Sequence, residues 1–442
     1  MKLRLNVLAK FDYILILCIS ILSFFGVMFI YSSGINSDGI NVSSEYRKQI
    51  VWFAVGFVMM IAFTLFDYRK FKRQALYIFA GSIVVLLYTM FFGKNVNGAR
   101  SWIGIRNLGI QPSEPIKLAY VIFLAWYLDR STEEKALKRF FKSLVIMFIP
   151  MALILGQPDL GTATVYLPIF LFMCFMAGIP TRYIMLVIGI GATTSIFTIL
   201  PIWQSEIAHR IIPAISVLTD RKLSIMVISA ALLVTLLCII GFAMFRKQYY
   251  YWLTYSFGII TAGLVFSIGA GHVLKPYQIQ RLIVFIDPSS DSLGAGWNII
   301  QSKIAIGSGG LWGRGFLQGT QSHYRFLPEQ STDFIFSIIS EETGFAGGLI
   351  LFFCFFTILL RCLTIMRKNS NRFGILIVAG ILGMYFYHFC LNVGMVMGIM
   401  PVAGIPLPFL SYGGSALITN MSAIGLLMSV HSRRLDFQDN VL

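Results

Sequence analysis

The stretch DYILILCISILSFFGVMFIYS, residues 12–32, carries one charge, at its first position, in twenty-one residues. A bilayer's hydrocarbon core is about 30 Å thick, and about twenty helical residues cross it at about 1.5 Å each. Reading outward from this run, comparable apolar runs recur at residues 48–66, 74–92, 112–128, 143–157, 160–178, 183–201, 224–245, 251–271, 333–360, 374–397 and 415–431. The expected fold class is all-α, a polytopic integral membrane helical bundle forming one domain over residues 1–442. Composition agrees, with 57% hydrophobic and only 12% charged residues, where a soluble domain carries about 25% charged. The mean hydropathy is +0.78. The basic opening from Met1 to Lys10, followed by so long a run, predicts a retained first span rather than a cleaved leader.

The formal charge of +16 does not argue for nucleic acid. Its Lys and Arg residues gather between apolar runs, at Lys2, Arg4 and Lys10, at Arg69 to Arg73, at Arg130 to Lys142, at Arg182, at Arg246 and Lys247, at Arg361 to Arg372 and at Arg433 and Arg434. With an even number of spans these ends share one side, which the positive-inside rule makes the cytoplasm, with both termini there. Such a surface suits anionic headgroups. A second set of cations falls on the opposite side: Arg47, Lys48, Lys94, Arg100, Arg106, Lys117, Arg281, Lys303, Arg314 and Arg325. An anionic ligand at the outer mouth accounts for them, and so does pairing with outer acids or lipid phosphate. The six cysteines lie in or beside apolar runs without C-x-x-C spacing, as buried small hydrophobes do. His323 and His388 are isolated, and no metal-ligand spacing, Walker loop or H-E-x-x-H motif is present.

Four polar constellations interrupt the apolar chain. Glu114 and Lys117, in Gln111-Pro112-Ser113-Glu114-Pro115-Ile116-Lys117, are three residues apart and share one helix face, with both prolines in or before the first turn. Asp159, in Gly156-Gln157-Pro158-Asp159-Leu160-Gly161-Thr162, divides one apolar stretch into two spans. Ionisable groups at membrane depth usually face a partner or a cavity, so the pair is either a structural clamp or part of a site. From Asn392 to Ala416 the density of Pro and Gly excludes plain helix and predicts a re-entrant or outer turn. The fourth is the polar, Gly-rich segment Asp287 to Asp333, where a rigid scaffold would present binding or catalytic groups. Within it Asp291 has two readings, a general base or an Asp capping the turn before Ser292 and Gly294. Gly347, Gly348, Gly380 and Gly383 mark places of close helix approach, inside the bundle or against another protein's helix.

These residues together resemble the SEDS family of shape, elongation, division and sporulation proteins. The likeness runs through Gly98-Ala99-Arg100-Ser101-Trp102-Ile103, Gln111 to Glu114, Gly156 to Gly161, Asp287 to Gly344 and Asn392 to Ala416. The run Ile300 to Gly310, with Gly319-Thr320-Gln321-Ser322, is most similar to the rod-elongation branch; the division and sporulation branches are alternatives. The resemblance implies a peptidoglycan glycosyltransferase of the bacterial cytoplasmic (inner) membrane that polymerises lipid II at the outer face during elongation. It also implies a class B penicillin-binding protein as transpeptidase partner, alongside other elongation-complex membrane proteins. By motif position it makes Asp291 the catalytic acidic residue. Arg100, Glu114, Lys117, Asp159 and Lys303 are then the candidate substrate-binding residues. A divalent cation, magnesium or manganese, is the one cofactor this chemistry suggests, and Asp159 would bind either it or sugar. Family members have about ten spans, so residues 202–271 read as an insertion with two extra spans and residues 272–332 as the large extracellular loop. Pro115 and Ser292 depart from the family pattern. A lipid II flippase and a pure scaffold are the competing classes; neither needs Asp291 for chemistry.

Overall fold

The structure, a computed structural model, describes residues 11–96, 99–105, 108–208, 210, 212–273, 275–291, 294–324 and 326–433. Several positions singled out above lie outside the described residues: Lys2, Arg4, Lys10, Gly98, Arg106, Ser292, Arg325 and Arg434. In chain order the helices are α1 (Tyr13–Ser33), α2 (Glu45–Leu65), α3 (Tyr68–Phe92), α4 (Ser113–Arg130), α5 (Ala136–Gly156) and α6 (Leu160–Met176). There follow α7 (Thr181–Trp203), α8 (Pro213–Thr219), α9 (Arg221–Phe245), α10 (Gln248–Val273), α11 (Pro276–Ile286) and α12 (Ala295–Ser308). The last are α13 (Thr320–His323), α14 (Ile335–Arg367), α15 (Arg372–Val396) and α16 (Gly414–Ser432). Twelve of them reach seventeen residues, one for each apolar run of the sequence. Nine of those, among the described residues, are long and apolar enough by composition to cross a membrane.

Many helix starts follow one rule. A short polar side chain precedes the apolar run and accepts a hydrogen bond from an amide that the helix leaves without a partner. Asp12 receives Leu15 N at 3.4 Å, Asp67 receives Arg69 N at 3.0 Å, and Asp220 receives Lys222 N at 2.8 Å. Asn371 receives Gly374 N at 3.4 Å. Asp12 is buried and also pairs with Arg361, at 2.7 Å to its Nε, so a charge beside the first span is neutralised across the bundle.

The chain forms two compact units, one of Met1–Ile179 with Gln301–Leu442, the other of Pro180–Ile300. In the first, α15 is central, packed against α4, α6, α14 and α16, while α16 lies along α2. A Cβ at Gly380 would come within 2.8 Å of Met173 Sδ and of Val121, and one at Gly383 within 2.9 Å of Pro168 O. These two glycines therefore serve the protein's own helix packing, and the expectation that they receive another protein's helix is set aside.

Two local features depart from a continuous helical reading. Between α3 and α4 the chain makes a three-stranded antiparallel sheet, β1 (Lys94–Val96), β2 (Ala99–Ile105) and β3 (Leu108–Ile110), in that order. Arg100 pairs with Asn95, and Gly104 with Gly109. The Trp102 ring lies so close to Gly109 that a Cβ there would sit 2.9 Å from it. The second feature is a break in α14 at Gly344, whose φ of 68° and ψ of −162° leave the helical region. Such a break strands carbonyls. Here Arg314 N donates to Glu341 O and Gly315 N to Glu342 O, each at 3.0 Å. Beyond the break Phe345 N donates to Gly310 O at 2.9 Å and Ala346 N to Leu311 O at 3.1 Å. Only glycine fits at 344, since a Cβ would lie 2.3 Å from Gly313 N.

In the second unit α7 packs on α10 and α10 on α9. α9 and α10 join through a tight turn in which Arg246 adopts the left-handed conformation (φ 50°, ψ 23°). The first turns of α7 and α10 lie at that same end, linked by Arg182 and Tyr251 at 3.4 Å. At the opposite end Ile279 of α11 shares a 550 Å³ cavity with Pro201, Ile225 and Gly271.

Candidate active site

In the first unit α4 starts directly after Pro112, and Pro115 sits in its first turn, where the missing N–H costs no helical bond. Glu114 and Lys117 are 3% and 1% exposed, facing protein rather than lipid. Lys117 Nζ donates to Glu114 Oε1 at 2.8 Å and contacts His388 Nε2 at 3.2 Å. His388 Nδ1 lies 3.2 Å from Pro406 O. A carbonyl only accepts, so Nδ1 bears the proton and the Nε2 lone pair accepts from the Lys117 ammonium. The pair expected from i, i+3 spacing is thus a triad, its third member 271 positions from Lys117. Among the described residues Glu114 Oε2 is buried without a hydrogen-bond partner, as is Asn392 Oδ1. The Asn392 amide donates to Asp333 O at 3.0 Å and Ile405 O at 2.8 Å, stapling the Pro- and Gly-rich segment after α15.

Asp159 stands at the start of α6, where its Oδ1 accepts from Thr162 N at 3.0 Å. Its Oδ2 accepts from Gln111 Nε2 at 2.8 Å, and the backbone N–H of Gln111 donates to Ser415 Oγ at 2.9 Å. Asp159, Gln111 and Ser415 therefore tie α6, the entry to α4 and α16 into one polar chain. Arg100 on β2 and Lys303 on α12 are exposed. Glu341 and Glu342 are fully buried carboxylates that the sequence reading passed over. Glu341 Oε1 accepts from the amides of Thr320, at 2.7 Å, and Gln321, at 2.9 Å; Glu342 Oε2 accepts from Leu317 N at 3.0 Å, and its Oε1 from the Ser32 hydroxyl. Two adjacent acids inside an apolar run were the signal that could have found them.

The second unit holds Asp291 at the end of a short 3₁₀ turn, Pro288–Asp291. Its carboxylate is half-buried, and Oδ2 accepts from Gln280 Nε2 of α11 at 2.8 Å. A Cβ on Gly294 would lie 2.5 Å from each Asp291 carboxylate oxygen. Only glycine lets the chain pass so near. Asp287, four residues earlier, is turned inward on its own loop: Oδ1 accepts from the Ser289 amide at 2.9 Å and from the Ser289 hydroxyl. Those two bonds hold its carboxyl below the usual carboxylate range. Gln280 was not recognisable beforehand, because a Gln on an amphipathic helix has no distinctive spacing. Among the described residues no three His, Cys, Asp or Glu side chains group as a metal site would require.

A family model described as cell cycle protein, covering FtsW, RodA and SpoVE, matches residues 12–211 and 202–435. The chain is 51% identical to a protein of Treponema pallidum named peptidoglycan glycosyltransferase RodA, over 98% of this chain and 100% of that one. It is 33% identical to peptidoglycan glycosyltransferase MrdB of Escherichia coli, over 90% of this chain and 88% of that one. Among solved structures, a chain of a peptidoglycan synthase complex that coordinates polymerization and crosslinking superposes with a TM-score of 0.66 at 24% identity, covering 96% of this chain and 98% of that one. The rod shape determining protein RodA of Thermus thermophilus gives a TM-score of 0.59 at 20% identity, over 96% and 97%. At those identities the superpositions speak for the fold.

Proposed function

The chain belongs to the cell cycle protein family of FtsW, RodA and SpoVE, and from that premise we propose that it is a peptidoglycan glycosyltransferase polymerising lipid II during cell elongation. The observation that carries this reading is the 51% identity, end to end, to a peptidoglycan glycosyltransferase RodA. The reaction joins a sugar hydroxyl of one glycan to the anomeric carbon of another. The hydroxyl proton leaves, the new C–O bond forms, and the bond to the lipid-linked pyrophosphate breaks. A β-linked product from an α-linked donor needs one inverting displacement and one base, with no covalent intermediate.

Asp291 is the base we assign. Its carboxylate is only half-buried, and the hydrogen bond from Gln280 to Oδ2 fixes its direction for taking the acceptor proton. The leaving pyrophosphate gathers negative charge that cations stabilise. Arg100 and Lys303 are exposed cations suited to that task, and Lys117 is one whose direction Glu114 and His388 set. Asp159 acts through Gln111, which it orients. A divalent cation, magnesium or manganese, would draw most of its ligands from pyrophosphate oxygens, since hard cations prefer oxygen and no carboxylate cluster is found among the described residues.

The protein is multi-pass. We place the basic ends and both termini in the cytoplasm and the Asp291 loop outside the cytoplasmic membrane. The opposed positions of the Arg246 turn and of Ile279 in the second unit support that sidedness. A class B penicillin-binding protein is the partner we infer, from the synthase complex whose chain shares this fold. The deciding experiment incubates the purified chain with lipid II, with and without that partner. Glycan strands should form in at least the paired reaction. Translocation of lipid II without strand growth would replace the polymerase by a flippase.

A further inference from the structure

Arg182, in the first turn of α7, has no carboxylate within ion-pair distance among the described residues. Among the described residues its guanidinium donates to the Tyr251 and Tyr183 hydroxyls, each at 3.4 Å, and lies 5.1 Å from the centre of the Tyr183 ring. Those bonds are long, so its N–H groups remain available to a stronger acceptor. The Tyr255 hydroxyl donates to Arg182 O at 2.8 Å and fixes the turn against α10. Directly along the helices from this polar rim runs a 350 Å³ trough between α7 and α10, floored by Leu186, Ile190, Gly258 and Ile259.

The acids of this unit are confined to one end. Arg246 and Lys247 share the Arg182 end. The acids of residues 180–300 are Glu206, Asp220, Asp287 and Asp291. They follow α7, precede α9, or join Gln280 beside Ile279, all at the far end. A cationic rim without acids, opening onto an apolar trough on the side of a membrane helix pair, has the profile of an anionic amphiphile. We propose that this trough binds one anionic glycerophospholipid, its phosphate on Arg182 and the tyrosine hydroxyls, one acyl chain along Leu186, Ile190, Gly258 and Ile259.

The test uses the full chain in neutral detergent, titrated with dioleoylphosphatidylglycerol or dioleoylphosphatidylcholine, with bound lipid counted by native mass spectrometry. Phosphatidylglycerol should bind with clear preference. Arg182→Gln should weaken it by about tenfold or more, the loss of a charge-assisted hydrogen bond. A Cβ at Gly258 meets nothing within 4 Å, so Gly258→Leu should fold normally while filling the trough and weakening binding as well. Lys222→Gln, at the far end, should leave binding unchanged. Equal binding of the two lipids, or indifference to Arg182→Gln or Gly258→Leu, overturns the site. So does an equal loss on Lys222→Gln, which marks diffuse attraction. Competition by inorganic phosphate at equal concentration overturns the lipid in favour of a free anion.

Discussion

The two places where this protein keeps ionisable groups for use are built in opposite ways. Glu114, Lys117 and His388 are sealed inside the first unit, each held by a neighbour, with Lys117 1% exposed. Asp291 in the second unit is half-exposed on a four-residue turn, steadied by Gln280 and by the closeness of Gly294. The helices around them differ likewise. In the most apolar window of α15 72% of the residues are buried, against 6% over Thr181–Ala208. The contrast teaches a division of labour. A charge withdrawn from water must be neutralised and hydrogen-bonded to be tolerated, so it doubles as architecture. A carboxylate meant to exchange a proton with a bound sugar must be reachable, and can be altered without unsettling the fold.

The sharpest way to break that contrast is Asp291→Asn. Loss of a general base costs about 10²–10⁴ in rate, and polymerisation of lipid II should fall by that order while the thermal midpoint in detergent stays put. A large loss of stability would place Asp291 in the architecture instead. The converse holds for Lys117→Ala, which strands the Glu114 carboxylate and should cost about 3–5 kcal/mol of stability as well as activity. The double variant Glu114→Gln, Lys117→Met should regain much of the stability and none of the activity. Full recovery of polymerisation would reduce the triad to a clamp.

Smaller effects refine the picture. Gly294→Ala pushes a Cβ against the Asp291 carboxylate, and a displacement near 1 Å can cost about 10²-fold. Its kcat should drop with KM and thermal midpoint little changed; a wild-type kcat would show that the carboxylate is free to shift. Asp287→Asn should matter least, under about tenfold in rate. Hydrogen bonds from Ser289 lower the Asp287 pKa in the fold, so the stability they give its loop is present above the unfolded carboxyl value, about 3.9. It is lost as pH falls through the lower folded value. Limited proteolysis of the loop across acid pH should show that transition in the parent and a flat response in the variant.

Much of the bundle was readable because a membrane span needs one local property, length with hydrophobicity, and twelve apolar runs became twelve long helices. The cap at Asp159 was readable as an interruption for the same reason. What stayed hidden depends on tertiary neighbours. His388 looked isolated because its partner is 271 residues away. The strands from Lys94 to Ile110 are too short for an alternating pattern to declare itself. Gly344 sits inside an apolar run, and the backbone of Gly313 that packs against its break comes from a distant loop. Hydropathy also fails to separate interior from periphery. The most apolar stretches of α15 and of Thr181–Ala208 are almost equally apolar while their burial differs twelvefold, since lipid and protein interior are equally apolar.

The break at Gly344 reaches beyond packing. Arg314 and Gly315 belong to an irregular loop, yet their amide protons complete the hydrogen bonding of a buried helix. In solvent-isotope terms they are helix amides. They can trade hydrogen for deuterium only when the Glu341–Glu342 turn itself opens, on the clock of the bundle rather than of the loop that carries them.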